Sequence, residues 1–199
     1  VEYEINEASD LAWLAAFVNG TLPTTKSAAE LEQSLKGVTF VLNTDIDLAG
    51  NAWTPIGTSD HPFKGIFNGN GYTIKNLVVN GGSNANQGLF GFTTDGEIKN
   101  LIVENAKVSG RTGVGVVAGQ PYTSKYTNIT VKGHVEVRGL AYVGGVGGRN
   151  AYADWTNIKV DVDETSYVNA DSRENGKAYR TYVGGVVGFN GEGGHSFTD

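Results

Sequence analysis

The hydrophobic pattern divides the chain into a helical start and a long region of strands. Between Ala8 and Asn19, apolar residues recur three and four positions apart, as on one face of a helix: Leu11, Leu14, Ala15 and Val18. Gly20 follows as a helix stop. Because further apolar residues lie on the other faces, we expect this helix to be buried on several sides: Trp13, Ala16 and Phe17.

A second short helix is indicated by the segment Ser27-Ala28-Ala29-Glu30, which has the spacing of a capping box. Leu31 and Leu35 lie four residues apart behind it, and Gly37 ends the pattern. After Gly37 no helical period recurs. Short apolar runs alternate with Asn and Gly clusters, as strands alternate with turns.

Two sequence elements repeat in the strand region. The first is Ile-Lys-Asn-Leu at 74–77 and 98–101, with the looser Thr-Asn-Ile at 127–129 and 156–158. Its asparagines are 24, 28 and 29 residues apart: Asn76, Asn100, Asn128 and Asn157. A repeat of about 28 residues made of short strands predicts a β-solenoid, whose coils bury their apolar faces against one another. The asparagines would then stack as one ladder of amides along the coils.

The second element is a short apolar segment bracketed by glycines. Its final glycines are 28, 29 and 40 residues apart: Gly91, Gly119, Gly148 and Gly188. Glycine permits sharp corners and close backbone contact at equivalent points of each coil. The longer last step predicts a polar insertion at 165–179 that forms a surface loop.

Composition agrees with an all-β chain and excludes several functions. Among 199 residues there are 29 Gly, and the β-branched residues Val (22) and Ile (9) together outnumber Leu (11). The net charge of −6 argues against nucleic-acid binding. The longest apolar run, Leu11 to Val18, is too short to span a membrane. Cysteine is absent, which excludes disulfides and thiolate chemistry. A start without Met suggests an excised piece, and we expect the natural chain to continue past Asp199.

Three segments carry a resemblance to a known family: Trp53-Thr54-Pro55-Ile56-Gly57, the run from Phe63 to Leu77, and Gly88-Leu89-Phe90-Gly91. With the later repeats, they resemble bacterial GLUG-motif repeat proteins over roughly residues 38 to 191. The later repeats depart from the pattern by losing the lysine of Ile-Lys-Asn. The resemblance implies a right-handed parallel β-helix in a large secreted or surface-anchored, adhesin-like protein. Such repeats also occur in the non-catalytic regions of immunoglobulin A proteases, and no catalytic residue set belongs to them.

We therefore expect an all-β fold, a right-handed parallel β-helix with a short N-terminal helical cap. Residues 1–37 would form the helical cap region, and residues 38–199 the repeat β-helix, as one continuous structural domain. The cap has a physical purpose, because an open solenoid end exposes unpaired strand groups and apolar core.

β-Helices also house pectin-degrading enzymes, whose catalytic residues have recognisable motifs. The triplet Asn43-Thr44-Asp45 occurs in polygalacturonase-like enzymes, but their Asp-Asp pair and Gly-His-Gly are missing here. The carboxylate pairs Asp45/Asp47 and Asp161/Asp163 supply too few oxygens for Ca²⁺ and are expected in turns and on solvated faces. The histidines lie far apart without a zinc-site pattern: His61, His134 and His195. The sequence thus predicts no catalytic residues, no metal site and no cofactor.

Aromatic residues are the remaining candidates for binding, since aromatic faces stack on sugars and anchor interfaces. Tyr126 and Trp155 precede their asparagines by two positions, as Ile74 and Ile98 do, so a core position is favoured for both. Tyr122 and Tyr152 have no such apolar counterpart and are the better surface candidates.

These observations favour a non-enzymatic, extracellular or cell-surface module, serving as a stalk or as a contact surface for host or bacterial glycans or proteins. Two alternatives stay open. One is a polysaccharide-active β-helix enzyme, which a cleft lined by facing carboxylates would favour. The other is a purely structural spacer without a ligand. The sequence does not define an oligomeric state.

Overall fold

A computed structural model describes residues 1–23, 26–171, 173–175, 177–178, 180–191 and 197–198. Two helices lie near the N-terminus, α1 (Ala8–Val18) and α2 (Ala28–Leu35). The strands are, in chain order, β1 (Glu2–Ile5), β2 (Thr39–Leu42), β3 (Ile46–Asp47), β4 (Ile66–Asn68), β5 (Thr73–Asn80), β6 (Phe90–Thr94), β7 (Glu97–Ser109), β8 (Thr112–Gly115), β9 (Ala118–Tyr122), β10 (Lys125–Gly139), β11 (Ala141–Gly144), β12 (Gly147–Asn150), β13 (Asp154–Val162), β14 (Tyr167–Ala170), β15 (Arg173–Glu174), β16 (Lys177–Ala178), β17 (Val183–Gly184), β18 (Val187–Asn190) and β19 (Phe197–Thr198).

The strands form a parallel β-helix of about five coils, as the repeats predicted. The largest sheet runs in the order β1-β2-β4-β7-β10-β13-β19, with β3, β5 and β14 paired alongside. A second sheet runs β18-β12-β9-β6, and a third runs β17-β11-β8. From β7 onward each coil adds a strand to all three stacks, and the core lies between the sheets.

The core is built from columns of side chains that repeat from coil to coil. In the largest sheet one column follows the strand register. Its members are all at most 2% exposed: Phe40, Phe67, Ile98, Tyr126 and Trp155. Strand alternation turns every second side chain inward, and the coils on either side then exclude water from it.

The N-terminal segment contains a strand that the hydrophobic pattern did not predict. Strand β1 pairs in parallel with β2, with Ile5 opposite Leu42. Only Ile5 of its four residues is buried, so β1 shows no alternation that could reveal it in the sequence. The division at residue 37 stays a prediction, with β1 contributing a strand from before it.

Helix α1 matches the predicted span but buries one face only. Its buried residues belong to the hydrophobic core: Leu11, Leu14, Ala15 and Val18. The expectation of burial on several sides is wrong, because Trp13 is 47% exposed and stacks on Phe17 at 5.0 Å. Phe17 is half-buried against the core, and its ring covers one face of the exposed Trp13 ring. The C-terminal stop is as predicted, with Gly20 at a φ of 68°.

Helix α2 begins with the predicted capping box. The Ser27 hydroxyl accepts a hydrogen bond from the backbone N–H of Glu30, and the Glu30 carboxylate accepts one from the backbone N–H of Ser27 at 2.8 Å. These bonds satisfy amides that have no partner inside the helix.

The asparagine ladder exists, but with one different member. Asn157 donates to the Asn128 side chain at 2.8 Å, and Asn128 donates to Asn100 at 2.9 Å. Asn100 donates in turn to Asn68 at 3.1 Å, not to Asn76. The expectation for Asn76 is wrong, because its strand pairs with a later part of β7: Ile74 lies opposite Val103 rather than Ile98.

Asn76 instead begins a second, shorter series. Its amide donates to the Asp47 carboxylate at 2.8 Å. Asn105 on the next coil accepts from the backbone N–H of His134 at 2.9 Å. Four of these asparagines have a left-handed backbone, with φ between 52° and 58°: Asn76, Asn100, Asn128 and Asn157. Asparagine tolerates this conformation better than most residues.

The repeated glycines lie where the backbone of one coil meets the backbone of the coil before it. Strands β6, β9, β12 and β18 are stacked so that Gly91, Gly119, Gly148 and Gly188 share a column. A methyl carbon added to Gly119 would overlap the Asn86 carbonyl carbon of the preceding coil. Backbone atoms cannot move aside as a flexible side chain can, so the two coils approach this closely only without a Cβ at this position.

The insertion at 165–179 is more ordered than the expected surface loop. Strand β14 pairs in parallel with β10, and β15 and β16 form an antiparallel hairpin. The described side chains are mostly exposed or half-buried, as expected for a polar surface segment.

Within the described part of the chain, the helices are too short to cross a membrane. His195 and the glycine-rich segment at 192–194 lie outside the described residues.

Candidate functional site

Three aromatic rings form a strip along the outside of consecutive coils. The ring centroids of Phe92 and Tyr122 are 6.4 Å apart, and those of Tyr122 and Tyr152 are 5.8 Å apart with nearly perpendicular planes. Tyr122 is 37% exposed and Tyr152 47% exposed. We call Phe92, Tyr122 and Tyr152 the aromatic strip. It unites the two tyrosines that the sequence favoured as surface candidates with one phenylalanine that it did not single out.

The backbone of each coil holds the strip in place. Strand β6 pairs with β9, with Thr94 opposite Tyr122, and Tyr122 bridges Ala151 on the next coil. Tyr152 follows at a φ of 62°, which is uncommon for a bulky residue. This turn sets the Tyr152 ring edge-on against Tyr122. The geometry suits a partner that lies along the coil axis, because the rings offer adjoining apolar faces.

Tyr126 and Trp155 are fully buried, at the core position that their spacing favoured. Their rings stack with centroids 4.2 Å apart and planes within 16° of parallel. The Tyr126 hydroxyl is 2.8 Å from the Thr93 hydroxyl, and burial raises the pKa of Tyr126. In this fold neither ring offers a surface to a ligand.

The carboxylate pair Asp45/Asp47 is engaged in the fold. Asp45 accepts from the backbone N–H of Thr73 and pairs with the Lys75 ammonium at 3.1 Å. The hydrogen bond from Thr73 lowers the pKa of Asp45, and the amide of Asn76 lowers that of Asp47. These carboxylates hold a coil corner, in agreement with their expected structural role.

A cluster around His134 was not anticipated by the sequence analysis. The His134 Nε2 atom is 2.9 Å from the Glu136 carboxylate, and Nδ1 is 3.2 Å from the Asp163 carboxylate. Lys107 pairs with Glu136 at 3.0 Å, and the Thr165 hydroxyl donates to Asp163 at 2.8 Å. The signal for half of the cluster was present, because His134 and Glu136 are two residues apart on one strand face. Asp163 comes from the next coil, which no local pattern reveals.

The cluster shifts the pKa values of its members in opposite directions. Hydrogen bonds that the His134 ring donates to Glu136 and, with a smaller effect, to Asp163 raise the pKa of His134. His134, followed by Lys107, lowers the pKa of Glu136 to about 2. The Thr165 hydroxyl makes the largest contribution to lowering the pKa of Asp163 to about 2. The arrangement is an ion-pair network across two coils, with both carboxylates ionised at neutral pH. Among the described residues, no group of three or more potential ligands is arranged to hold a metal ion.

Comparison with known proteins agrees with the fold. No protein-family model matches the chain. A segment of halomucin from Haloquadratum walsbyi is 35% identical over 124 residues, which is 55% of this chain and 1% of that protein. The chain is also similar to a crystal structure from Bacteroides ovatus that is provisionally named an immunoglobulin A1 protease. The TM-score is 0.60 at 20% identity, over 100% of this chain and 62% of that one. The chain thus spans a small fraction of halomucin and less than two thirds of the solved chain, and the structural likeness establishes the β-solenoid fold.

Proposed function

We propose that the chain is a non-enzymatic module of a secreted or cell-surface protein, and that the aromatic strip is its contact surface for a glycan or a protein. The observation that carries the proposal is the exposure of Tyr122 and Tyr152 as adjoining rings on successive coils. Exposed, rigid aromatic side chains are enriched among residues that anchor interfaces. The stacked coils would hold this surface away from the rest of the parent protein.

The similarities support a module of this kind. The GLUG-type resemblance implies an adhesin-like protein, and the similarity to a segment of halomucin favours a non-enzymatic role. The provisional protease name of the structural neighbour applies to that protein, with which this chain shares 20% identity.

Acid–base properties favour the non-enzymatic proposal over the polysaccharide-active enzyme. Cleavage of a glycosidic bond uses two carboxyl groups, one of which is held protonated by a raised pKa. Among the described residues, each carboxyl group with a clear pKa shift is shifted downward: Glu30, Asp45, Asp47, Glu136 and Asp163. Carboxyl groups of this kind stabilise charge pairs and are poor general acids.

The test is binding of the purified protein to an array of host and bacterial glycans and to immobilised matrix proteins. We expect a saturable signal that survives physiological salt and falls about tenfold or more in the Tyr122→Ala/Tyr152→Ala variant. Tyr72→Ala is the matched control, because Tyr72 is a similarly exposed tyrosine outside the strip. A folded protein that binds nothing on either array would favour the spacer.

A further inference from the structure

A groove of about 510 Å³ shares no lining residue with the aromatic strip. It is bounded by the end of α1, by the segment from Trp53 to Ser59 and by the loop between β5 and β6. Its volume falls in the range of small-molecule sites. Five amide side chains and one indole contribute to the lining: Asn19, Asn80, Asn84, Asn86, Gln87 and Trp53.

The chemistry of the lining is polar but uncharged. None of the groove's lining residues carries an ionisable side chain. An amide offers donors and an acceptor together, as a ligand rich in hydroxyl groups requires. The half-buried Trp53 ring adds an apolar surface on which a sugar ring can stack. The net charge of −6 further disfavours an anionic ligand.

The walls of the groove are fixed before any ligand arrives. The Trp53 indole N–H donates to the Leu89 carbonyl at 3.1 Å. The Asn19 amide donates to the Pro55 carbonyl at 3.0 Å and accepts from the Gly57 N–H at 2.8 Å. These bonds fix the orientation of the indole and join the end of α1 to the segment that carries Pro55 and Gly57, so that little conformational freedom is lost on binding.

Two amides of the lining are available for a ligand. The side chains of Asn80 and Asn84 are exposed, and neither makes a hydrogen bond to another described residue. Gln87, in contrast, is 8% exposed and donates to the Ala85 carbonyl at 2.6 Å, which holds the loop that carries Asn84. The groove therefore combines a rigid base with free donors and acceptors at its mouth.

We infer that this groove binds an uncharged segment of a carbohydrate chain, with the sugar ring on Trp53 and its hydroxyl groups on Asn80 and Asn84. This site goes beyond the proposed function and does not depend on the aromatic strip.

The experiment titrates the purified protein with cellohexaose, maltohexaose and mannohexaose as neutral probes, and with hexagalacturonate as a charged one. Binding is followed by calorimetry and by the NMR signal of the Trp53 indole N–H. We expect saturable binding of at least one neutral hexaose, weakened about tenfold by Asn80→Ala/Asn84→Ala through the loss of two hydrogen-bonding side chains. Trp53→Ala should abolish it.

Two controls separate the groove from other causes. Asn51→Ala/Asn169→Ala removes two exposed amides outside the groove and should leave the affinity unchanged. Tyr122→Ala/Tyr152→Ala should also leave it unchanged, which distinguishes this site from the aromatic strip. Loss of binding in Trp53→Ala has a second explanation, unfolding of the first coil, so Asn80→Ala/Asn84→Ala is the decisive variant. The inference is overturned if none of the three neutral hexaoses binds, if the asparagine pair does not matter, or if hexagalacturonate binds more tightly.

Discussion

The inner strand β10 and the outer strand β13 share apolar residues at matching coil positions, yet one matched pair differs in burial. Val131 is paired in register with Val160, but Val131 is fully buried and Val160 is 36% exposed. Strand β10 lies between β7 and β13, whereas β13 is covered by β10 on one side and by the short β19 on the other. Burial in this molecule is therefore supplied by neighbouring coils as much as by a strand's own pattern.

At the N-terminal end of the stack, the core side chains are buried although no full coil precedes them. Phe40 and Leu42 on β2 are at most 2% exposed, although β2 belongs to the first full coil. Strand β1 pairs beside them, and α1 adds Leu11 and Leu14 to the core. One strand and one amphipathic helix thus replace a missing coil, as the terminal units of repeat proteins do.

The largest expected difference is between a glycine whose Cβ position is occupied by backbone and a glycine whose Cβ position is open. Gly119→Ala would place a methyl group against backbone atoms of Asn86, and we expect a loss of about 3 kcal/mol or more in the free energy of unfolding. Gly185 is the matched control, since a methyl group there meets no atom within 4 Å, and Gly185→Ala should change stability by about 0.5 kcal/mol or less. Denaturant unfolding of both variants measures this. Similar losses would refute the close contact between the two coils.

A second difference is expected for the paired valines. Val131→Ala removes two buried methyl groups and leaves a cavity, which should cost about 2 to 3 kcal/mol. Val160→Ala removes groups that are already partly hydrated, so the cost should be about 1 kcal/mol or less. The same unfolding measurement checks both variants. Equal costs would mean that Val160 is buried in solution.

A third difference concerns the amide ladder. Asn128 makes two ladder bonds, to Asn100 and from Asn157, whereas Asn157 makes one ladder bond in the described structure. Replacement by glycine keeps the left-handed backbone and removes only the side-chain bonds. We expect Asn128→Gly to be about 1 kcal/mol more destabilising than Asn157→Gly in thermal unfolding. The opposite order would contradict the ladder.

The smallest expected effect is a pH dependence of stability, caused by the His134 cluster that joins an inner coil to the outer one. His134 lies on β10, and Asp163 lies beyond the end of β13. The raised pKa of His134 stabilises the fold below pH 6.5 and loses this effect as the pH rises through the folded-state pKa. The lowered pKa values of Glu136 and Asp163, about 2 in each case, stabilise the fold above their ordinary values of 4.5 and 3.8. That effect is lost as the pH falls toward 2.

The cluster should therefore contribute most between about pH 4.5 and 6.5. We expect the melting temperatures of the parent protein and of His134→Gln to differ most in this window and to converge at pH 9. Asp161→Asn is the matched control, because Asp161 pairs with Lys159 within its own strand. A constant difference across pH would exclude His134 as the titrating group.

The repeating parts of the fold could be predicted from the sequence, because equivalent residues recur at nearly constant spacing in successive coils. The column of Gly91, Gly119, Gly148 and Gly188 and the ladder of the last three asparagines followed from spacing alone. Asn76 was misassigned because two Ile-Lys-Asn-Leu segments fall at different points of their coils. The step of 24 residues, against 28 and 29 elsewhere, was the available warning.

The features that the sequence missed depend on contacts between coils. Asp163 approaches His134 from the next coil, and Asn80 and Asn84 line the same groove as Trp53 of the coil before them. Such contacts between residues about one coil apart leave no local sequence pattern. The exposure of Trp13 was missed for a related reason, since the apolar pattern of α1 does not show which of its faces the coil covers.

Native-state hydrogen exchange tests most directly the claim that neighbouring coils supply burial. We expect the slowest amide exchange in β7 and β10, with protection falling through β13 and again through β17 and β18, because outer units open without the rest of the stack. Equal protection of β10 and β18, or faster exchange in β10, would contradict the account.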